Sequence, residues 1–311
     1  MVKIQTCGFI KMLDLLTENN MSSYQMVDVS IGNDDKIYCL FTEKIPERVS
    51  GMFVPTTNCS VYKVISFVVD WYSGETYAYD HVDFGVLKIN IHFIQPIKEH
   101  FLLLGARAML YKDGKKDKNA LVMDHFGNKL NSFCLGDGIE NCIVDSKNNI
   151  ITSYFDEGIF GNYGWDTPIG ARGIVKWSEF GEKVWENNNH DICDCYAMNI
   201  DDNNNLWFYY YIDFSLVKTD FKSEIVYSPK ISGSHGFLIS KSQTALLFHR
   251  GYGKKGFCTM KMSYGKLYKP SDCQIVFGNR KINIERFSFR SSKAVFLDIT
   301  GDIYFLDWIY G

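Results

Sequence analysis

The residues of this chain best suited to chemistry stand where apolar runs end: Glu43, Arg107, Asp156 and Glu157, Asp213, His249 and Arg250, and Asp298. Carboxylates, arginines and a histidine around one concave mouth could bind a polar ligand, coordinate a cation, or act as acid and base. Asp156, Glu157 and His249 are the candidates for acid and base. Glu43, Asp156, Glu157 and Asp213 are the candidate ligands of a divalent cation, which would activate water. A plainer reading of the same set is that charged residues end strands where water begins.

The least generic stretch is Tyr154-Phe155-Asp156-Glu157-Gly158-Ile159-Phe160-Gly161-Asn162-Tyr163-Gly164-Trp165. Glycines, carboxylates and aromatic rings beyond a strand end exceed what a connector needs, and rings interleaved with Asn and Gly suit stacking on a sugar, base or peptide side chain. Asn162, Tyr163 and Trp165 therefore join Glu43, Arg107, Asp156, Glu157, Asp213 and Arg250 as expected ligand-binding residues. A loop that packs on itself is the alternative. Four other patterns lead elsewhere. Asp201-Asp202-Asn203-Asn204-Asn205 lacks the glycine and terminal glutamate of a calcium loop, and His190-Asp191-Ile192-Cys193-Asp194-Cys195 lacks the second pair of a zinc site. Gly251-Tyr252-Gly253-Lys254-Lys255-Gly256 lacks the ending and helix of a phosphate cradle, and the lysines of Tyr111–Lys118 read as solvated surface.

The elements that must position these residues are short strands. Six turn clusters, Gly32-Asn33-Asp34-Asp35, Gln95-Pro96-Ile97-Lys98, Ser146-Lys147-Asn148-Asn149, Asp201-Asp202-Asn203-Asn204, Ser240-Lys241-Ser242-Gln243 and Arg290-Ser291-Ser292-Lys293, each separate two apolar runs. They recur at roughly fifty-residue intervals, as propeller repeats do. A unit of four short strands cannot bury both faces alone, but six in a circle can. The spacing predicts an all-β, six-bladed β-propeller forming one domain over residues 1–311, with blades near 24–88, 89–136, 137–190, 191–230, 231–280 and 281–311. Lys3–Ile10 is expected to complete the last blade and close the ring; alternatively Lys3–Leu16 starts a short helix. The long loops Lys44–Ser60, Met109–Asn119 and Asp156–Arg172 are expected on one face, where binding and catalysis usually reside.

Composition narrows the function classes. Hydrophobic residues are 46% and charged residues 22% of the chain, enough apolar surface for a large core. Thirty-three basic and thirty-six acidic residues give a net charge of −3, so no overall field attracts nucleic acid or an anionic membrane. The N-terminus does not read as a signal peptide, and no apolar run approaches the roughly 18–20 residues of a membrane helix. A cytoplasmic location is expected. Nine scattered cysteines fit reduced thiols better than disulfides.

The Phe-Asp-Glu-Gly-Ile-Phe-Gly-Asn-Tyr-Gly-Trp stretch, with Gly105-Ala106-Arg107 before it and Asp194-Cys195-Tyr196-Ala197 and Ile212-Asp213-Phe214 after it, resembles a group of uncharacterised bacterial six-bladed propeller proteins. The resemblance implies that Arg107, Asp156, Glu157 and Asp213 lie together, and implies no activity. The expected function is a propeller that binds a small polar ligand or a protein through its long-loop face. The alternative is a metal-assisted hydrolase or lactonase with carboxylates at the channel mouth. No cofactor is expected beyond a divalent cation in that alternative.

Overall fold

In the computed structural model, which describes residues 2–49, 52–54 and 59–309, each of the six turn clusters holds one residue at positive φ. These are Asp35 (65°), Lys98 (53°), Asn148 (62°), Asn204 (64°), Gln243 (53°) and Ser291 (52°). One left-handed residue reverses the chain, and Asn and Asp tolerate that conformation best. Aspartates fix several turns. Asp145 Oδ1 accepts the N–H groups of Lys147 and Asn149 at 2.8 and 2.9 Å. Asp201 Oδ1 accepts those of Asn203 and Asn205 at 3.0 and 2.9 Å, which is turn chemistry and leaves no calcium loop. Asp298 does the same for Thr300 and Asp302 at 2.9 and 3.2 Å, and it is buried. It is a turn residue rather than part of a binding mouth.

Within the chain that the sequence reads as one domain, two compact units stand out: Ser23–Ser66 with Tyr79–Cys195, and Met1–Ser22 with Phe67–Ala78 and Tyr196–Gly311. Among the described residues there are five four-stranded sheets, one of seven strands and one of two, so five blades of the expected kind stand where the turn clusters predict six, because the remaining sheet also takes in Val2–Gln5 and two short strands. The Ser23–Cys195 unit carries the strands Phe93–Ile97, His100–Leu104, Ala120–Met123 and Lys129–Phe133 as one antiparallel sheet. Ile139–Val144, Ile150–Tyr154, Ile174–Trp177 and Lys183–Glu186 form another. The sheet before them begins with Gln25–Ile31 and Ile37–Thr42. Its core shows the period of two that pleated strands impose: Tyr38 and Leu40, Tyr62 and Val64, Val82 and Phe84 pack with Phe101 and Leu103, Leu121 and Met123. Part of the expected loop Lys44–Ser60 lies outside the described residues.

In the other unit, Phe237–Ile239, Ala245–His249, Phe257–Ser263 and Ser271–Phe277 pair in that order within the seven-stranded sheet, and Ile284–Arg290, Lys293–Asp298 and Ile303–Asp307 form the next. The single strand expected over Lys3–Ile10 is instead two. Val2–Gln5 runs parallel to Ser271–Phe277, and Gly8–Ile10 runs antiparallel to Ile303–Asp307. The break has a local cause. Thr6 donates both its N–H and its hydroxyl to the Val276 carbonyl, and Cys7 N–H then switches to the Phe305 carbonyl. The helix Met12–Glu18 follows, so strand and helix are both present. All nine cysteines are free thiols. No helix among the described residues is long and apolar enough to cross a membrane.

Candidate functional site

Arg107 follows the strand His100–Leu104 in a stretch, residues 105–108, that is buried throughout. Asn119, 1% exposed, fastens this stretch. Its amide donates to the carbonyls of Gly105 and Gly136, both at 2.9 Å, and its oxygen accepts the Leu135 N–H at 3.0 Å. One side chain thus satisfies three buried backbone groups and ties together the segments that carry Arg107 and Asp137. The guanidinium grips Asp137 with two parallel bonds, Nε to Oδ1 at 2.9 Å and Nη2 to Oδ2 at 2.8 Å. Nη1 reaches the Phe53 carbonyl at 3.2 Å and also the Glu157 carboxylate. The rings of Tyr163 and Phe155 stand 4.1 and 5.4 Å from Arg107 Cζ. A planar fork suits this geometry as an ammonium would not. Burial pushes the Asp137 carboxyl up, and Arg107 opposes the rise.

Glu157 comes to Arg107 on a short helix, Asp156–Phe160, seated by two glycines. A Cβ on Gly138, where φ is +70°, would stand 2.3 Å from the Gly158 nitrogen, so nothing larger allows the two backbones to approach. Asp156 is exposed and accepts the Glu157 N–H at 2.7 Å. The four expected cation ligands therefore have different roles. Glu157 is engaged by Arg107, while Glu43 is exposed and accepts the Tyr24 hydroxyl at 3.2 Å. Asp213 is exposed in the turn between Leu206–Tyr211 and Ser215–Thr219, in the other unit. Among the described residues no group of three His, Cys, Asp or Glu side chains is placed to hold a metal ion.

Two of the expected stacking residues are turn or packing residues. Asn162 uses its side-chain oxygen for the Tyr163 N–H at 2.8 Å. Trp165, 4% exposed, donates its indole N–H to the Ala108 carbonyl at 2.7 Å. The ring fills the interior beneath its own loop and offers no surface to a ligand, which corrects the rim reading. Tyr163 is half-buried on Arg107.

A second group of carboxylates lies in the same unit: Glu140, Asp194 and Asp156. Glu140 is the extra residue between the pairs Ile139–Tyr154 and Asn141–Ser153, a bulge of the kind that re-aims a side chain. Burial first, and then Asp194, push Glu140 up to about 8 against the pull of Arg48. Burial and then Asp156 push Asp194 up to about 7, and Asp194 Oδ1 is buried without a hydrogen-bond partner. The Arg48 guanidinium lies over the Phe53 ring at 4.0 Å. His92 packs edge-on against Phe53 at 4.3 Å and accepts the Ala106 N–H on Nδ1 at 3.0 Å. Burial, with Arg48, pushes it down to about 3, so it is neutral at pH 7.

Sequence reasoning missed Asp137, Glu140 and His92, and met Asp194 only inside two motifs without singling it out as a site residue. Only Asp137 carried a local signal, a carboxylate between Gly136 and Gly138 at φ 94° and 70°. The bulge hid Glu140 because one extra residue breaks the alternation by which strand faces are read.

These shifts give a pH dependence of definite sign. The folded chain keeps protons on Glu140 and Asp194 that the unfolded chain, with ordinary values of 4.5 and 3.8, has released. Stability is therefore highest below those ordinary values and falls as pH rises through about 7 to 8. We expect wild type to lose roughly 1–3 kcal/mol between about pH 6.5 and 8. Urea midpoints for wild type and for Glu140→Gln with Asp194→Asn test this. The double variant should be flat across the window, and equal slopes in both proteins would refute the assignment.

In the other unit, His249 and Arg250 line a cleft of about 690 Å³. The His249 ring stands 5.7 and 5.4 Å from Phe257 and Phe287, and burial, then His235, push it down. Arg250 is paired with Asp272.

The profile of the YxzG family matches residues 169–305, less than half of the chain. No curated protein matches the chain in sequence. Among solved structures, the chain is similar to the Cps50 (Swd1) β-propeller domain of Myceliophteria thermophila at 7% identity, with 91% of this chain and 83% of that chain covered and a TM-score of 0.50. It is similar to the same degree, TM-score 0.50 and 7% identity over 91% of this chain and 86% of that chain, to a chain of the mitotic checkpoint complex. At such identity the likeness concerns the fold alone: all-β, and that of a β-propeller.

Proposed function

We propose that this propeller is a recognition module that binds a polar partner through a cationic group, an ammonium or guanidinium, seated at Glu140, Asp194 and Asp156. The observation that carries the reading is the pair of half-buried carboxyls, Glu140 and Asp194, one with an oxygen buried and unpartnered. An uncompensated buried carboxyl is costly, and an arriving cation or hydrogen-bond donor relieves that cost. Arg107 supports binding over metal chemistry from a different direction. A divalent ion at Glu157 would have to displace a guanidinium already fixed by Asp137, Phe53 and Tyr163. The network instead holds Glu157 on a cation that the chain itself supplies.

The test is a calorimetric titration with tetra-arginine amide, with tetra-glutamate as control, beside thermal shifts with calcium, magnesium, manganese and zinc. We expect saturable binding of the cationic peptide alone, weakened about tenfold or more, the scale of one lost charge contact, in Glu140→Gln with Asp194→Asn. A metal-dependent thermal shift lost in Asp156→Asn and Glu157→Gln would overturn this reading and put the hydrolase first.

A further inference from the structure

The cleft that holds His249 has two chemically different surfaces. Its floor is apolar: Phe257, Cys273, Ile275 and Ile282 are buried, and Phe287 is half-buried. The Phe257 and Phe287 rings meet edge to face, with centroids 5.4 Å apart and planes at 73°. His249 lies against both, its Nδ1 buried without a hydrogen-bond partner. The rim is cationic. Lys254, Lys255 and Lys281 are exposed, and none of them forms an ion pair among the described residues, whereas the charge of Arg250 is met by Asp272. Glu285 is the remaining acidic residue at the cleft, so the mouth is positive although the whole chain is not.

We infer that this cleft binds a small aromatic anion, with its ring on Phe257 and Phe287 and its carboxylate, sulfonate or phosphate toward Lys254, Lys255 and Lys281. About 690 Å³ suits such a molecule, since small-molecule sites run to about 300–1,000 Å³. The floor alone would accept any neutral aromatic compound, and the lysines select for negative charge. The loop Gly251–Gly256 contributes through side chains rather than as a backbone cradle. Gly253 and Gly256, at φ 67° and 87° with open space around them, flank Lys254 and Lys255 and set that pair on the rim. This site shares no residue with the Glu140 and Asp194 carboxyls and takes a ligand of opposite charge, so either reading can fail alone.

The probe is anilinonaphthalene sulfonate, an aromatic anion whose fluorescence reports binding, compared with the neutral phenylnaphthylamine on the folded, full-length chain. We expect one saturable site for the anion, weaker binding of the neutral dye, and loss of affinity at raised salt. The surface variant Lys254→Glu with Lys255→Glu should lower affinity for the anion by about tenfold or more with an unchanged Tm. Ile299→Asp, an exposed position on the same cleft, should weaken the binding of both dyes. No saturable binding, equal affinity for the two dyes, or full affinity in the folded lysine variant would each overturn the proposal.

Discussion

Replacing Arg107 by methionine is expected to cost about 3–5 kcal/mol, the scale for removing one partner of a buried ion pair. Arg107 is 8% and Asp137 3% exposed, so the aspartate would be left with its burial and without its cation. Methionine keeps much of the side-chain volume, which separates charge from cavity. Arg107→Lys should fall between, because an ammonium keeps the charge and loses the paired hydrogen bonds to Asp137 and the stacking on Tyr163. The decisive measurement is a double-mutant cycle with Asp137→Asn, followed by urea denaturation. Neutralising the aspartate should recover about 1–3 kcal/mol of the loss, as directly contacting pairs do. Strict additivity of the two substitutions would show that the pair contributes nothing as a pair.

Trp165→Ala is expected to cost a similar amount, about 3–5 kcal/mol, as large buried aromatic rings do on truncation. The ring is 4% exposed, donates to Ala108 and has the Lys116 ammonium 5.4 Å from its centre. Its loss would also loosen the segment next to Arg107. Trp165→Phe retains most of the apolar contact and leaves the Ala108 carbonyl without its donor, a change of about 1–3 kcal/mol. Tyr163→Ala, at a half-buried ring, should cost less than either. Thermal melts of the three variants rank them. A Trp165→Ala protein within about 1 kcal/mol of wild type, the ordinary range for surface changes, would place the ring at the surface after all.

Much of the local architecture was legible in the sequence because its causes are local. Each of the six turn clusters needed only one residue able to adopt positive φ between two apolar runs, and Asn148 and Asn204 are residues of that kind. At Tyr264-Gly265 two successive residues at φ 49° and 71° likewise form a two-residue hairpin loop. The strands Ile150–Tyr154 and Ala245–His249 lie on runs of apolar residues. The N-terminal segment was less legible. Both strand and helix patterns were visible there, but the switch of partner at Thr6 and Cys7 depends on where the Val276 and Phe305 carbonyls lie.

The candidate sites were legible in residue type and not in grouping. Arg107, Asp156, Glu157, His249 and Arg250 were singled out because charged residues that end apolar runs are few. Their partners could not be read, because Arg107 meets Asp137 thirty residues away, Glu157 fifty away and Phe53 fifty-four away. No spacing rule spans such distances, which depend on how neighbouring strands are laid side by side. Burial also belongs to the folded environment rather than to the residue: the same carboxyl that rises to about 8 at Glu140 would be ordinary on an exposed turn. By itself the sequence determined the turns, the strand period and the all-β class, since backbone conformation and side-chain alternation act over a few residues. Tertiary structure alone decided that Trp165 is core, that Glu157 answers to Arg107, and that His249 lies at a cleft with a cationic rim. Each of these depends on desolvation and on contacts between distant segments, which exist only once the sheets have packed.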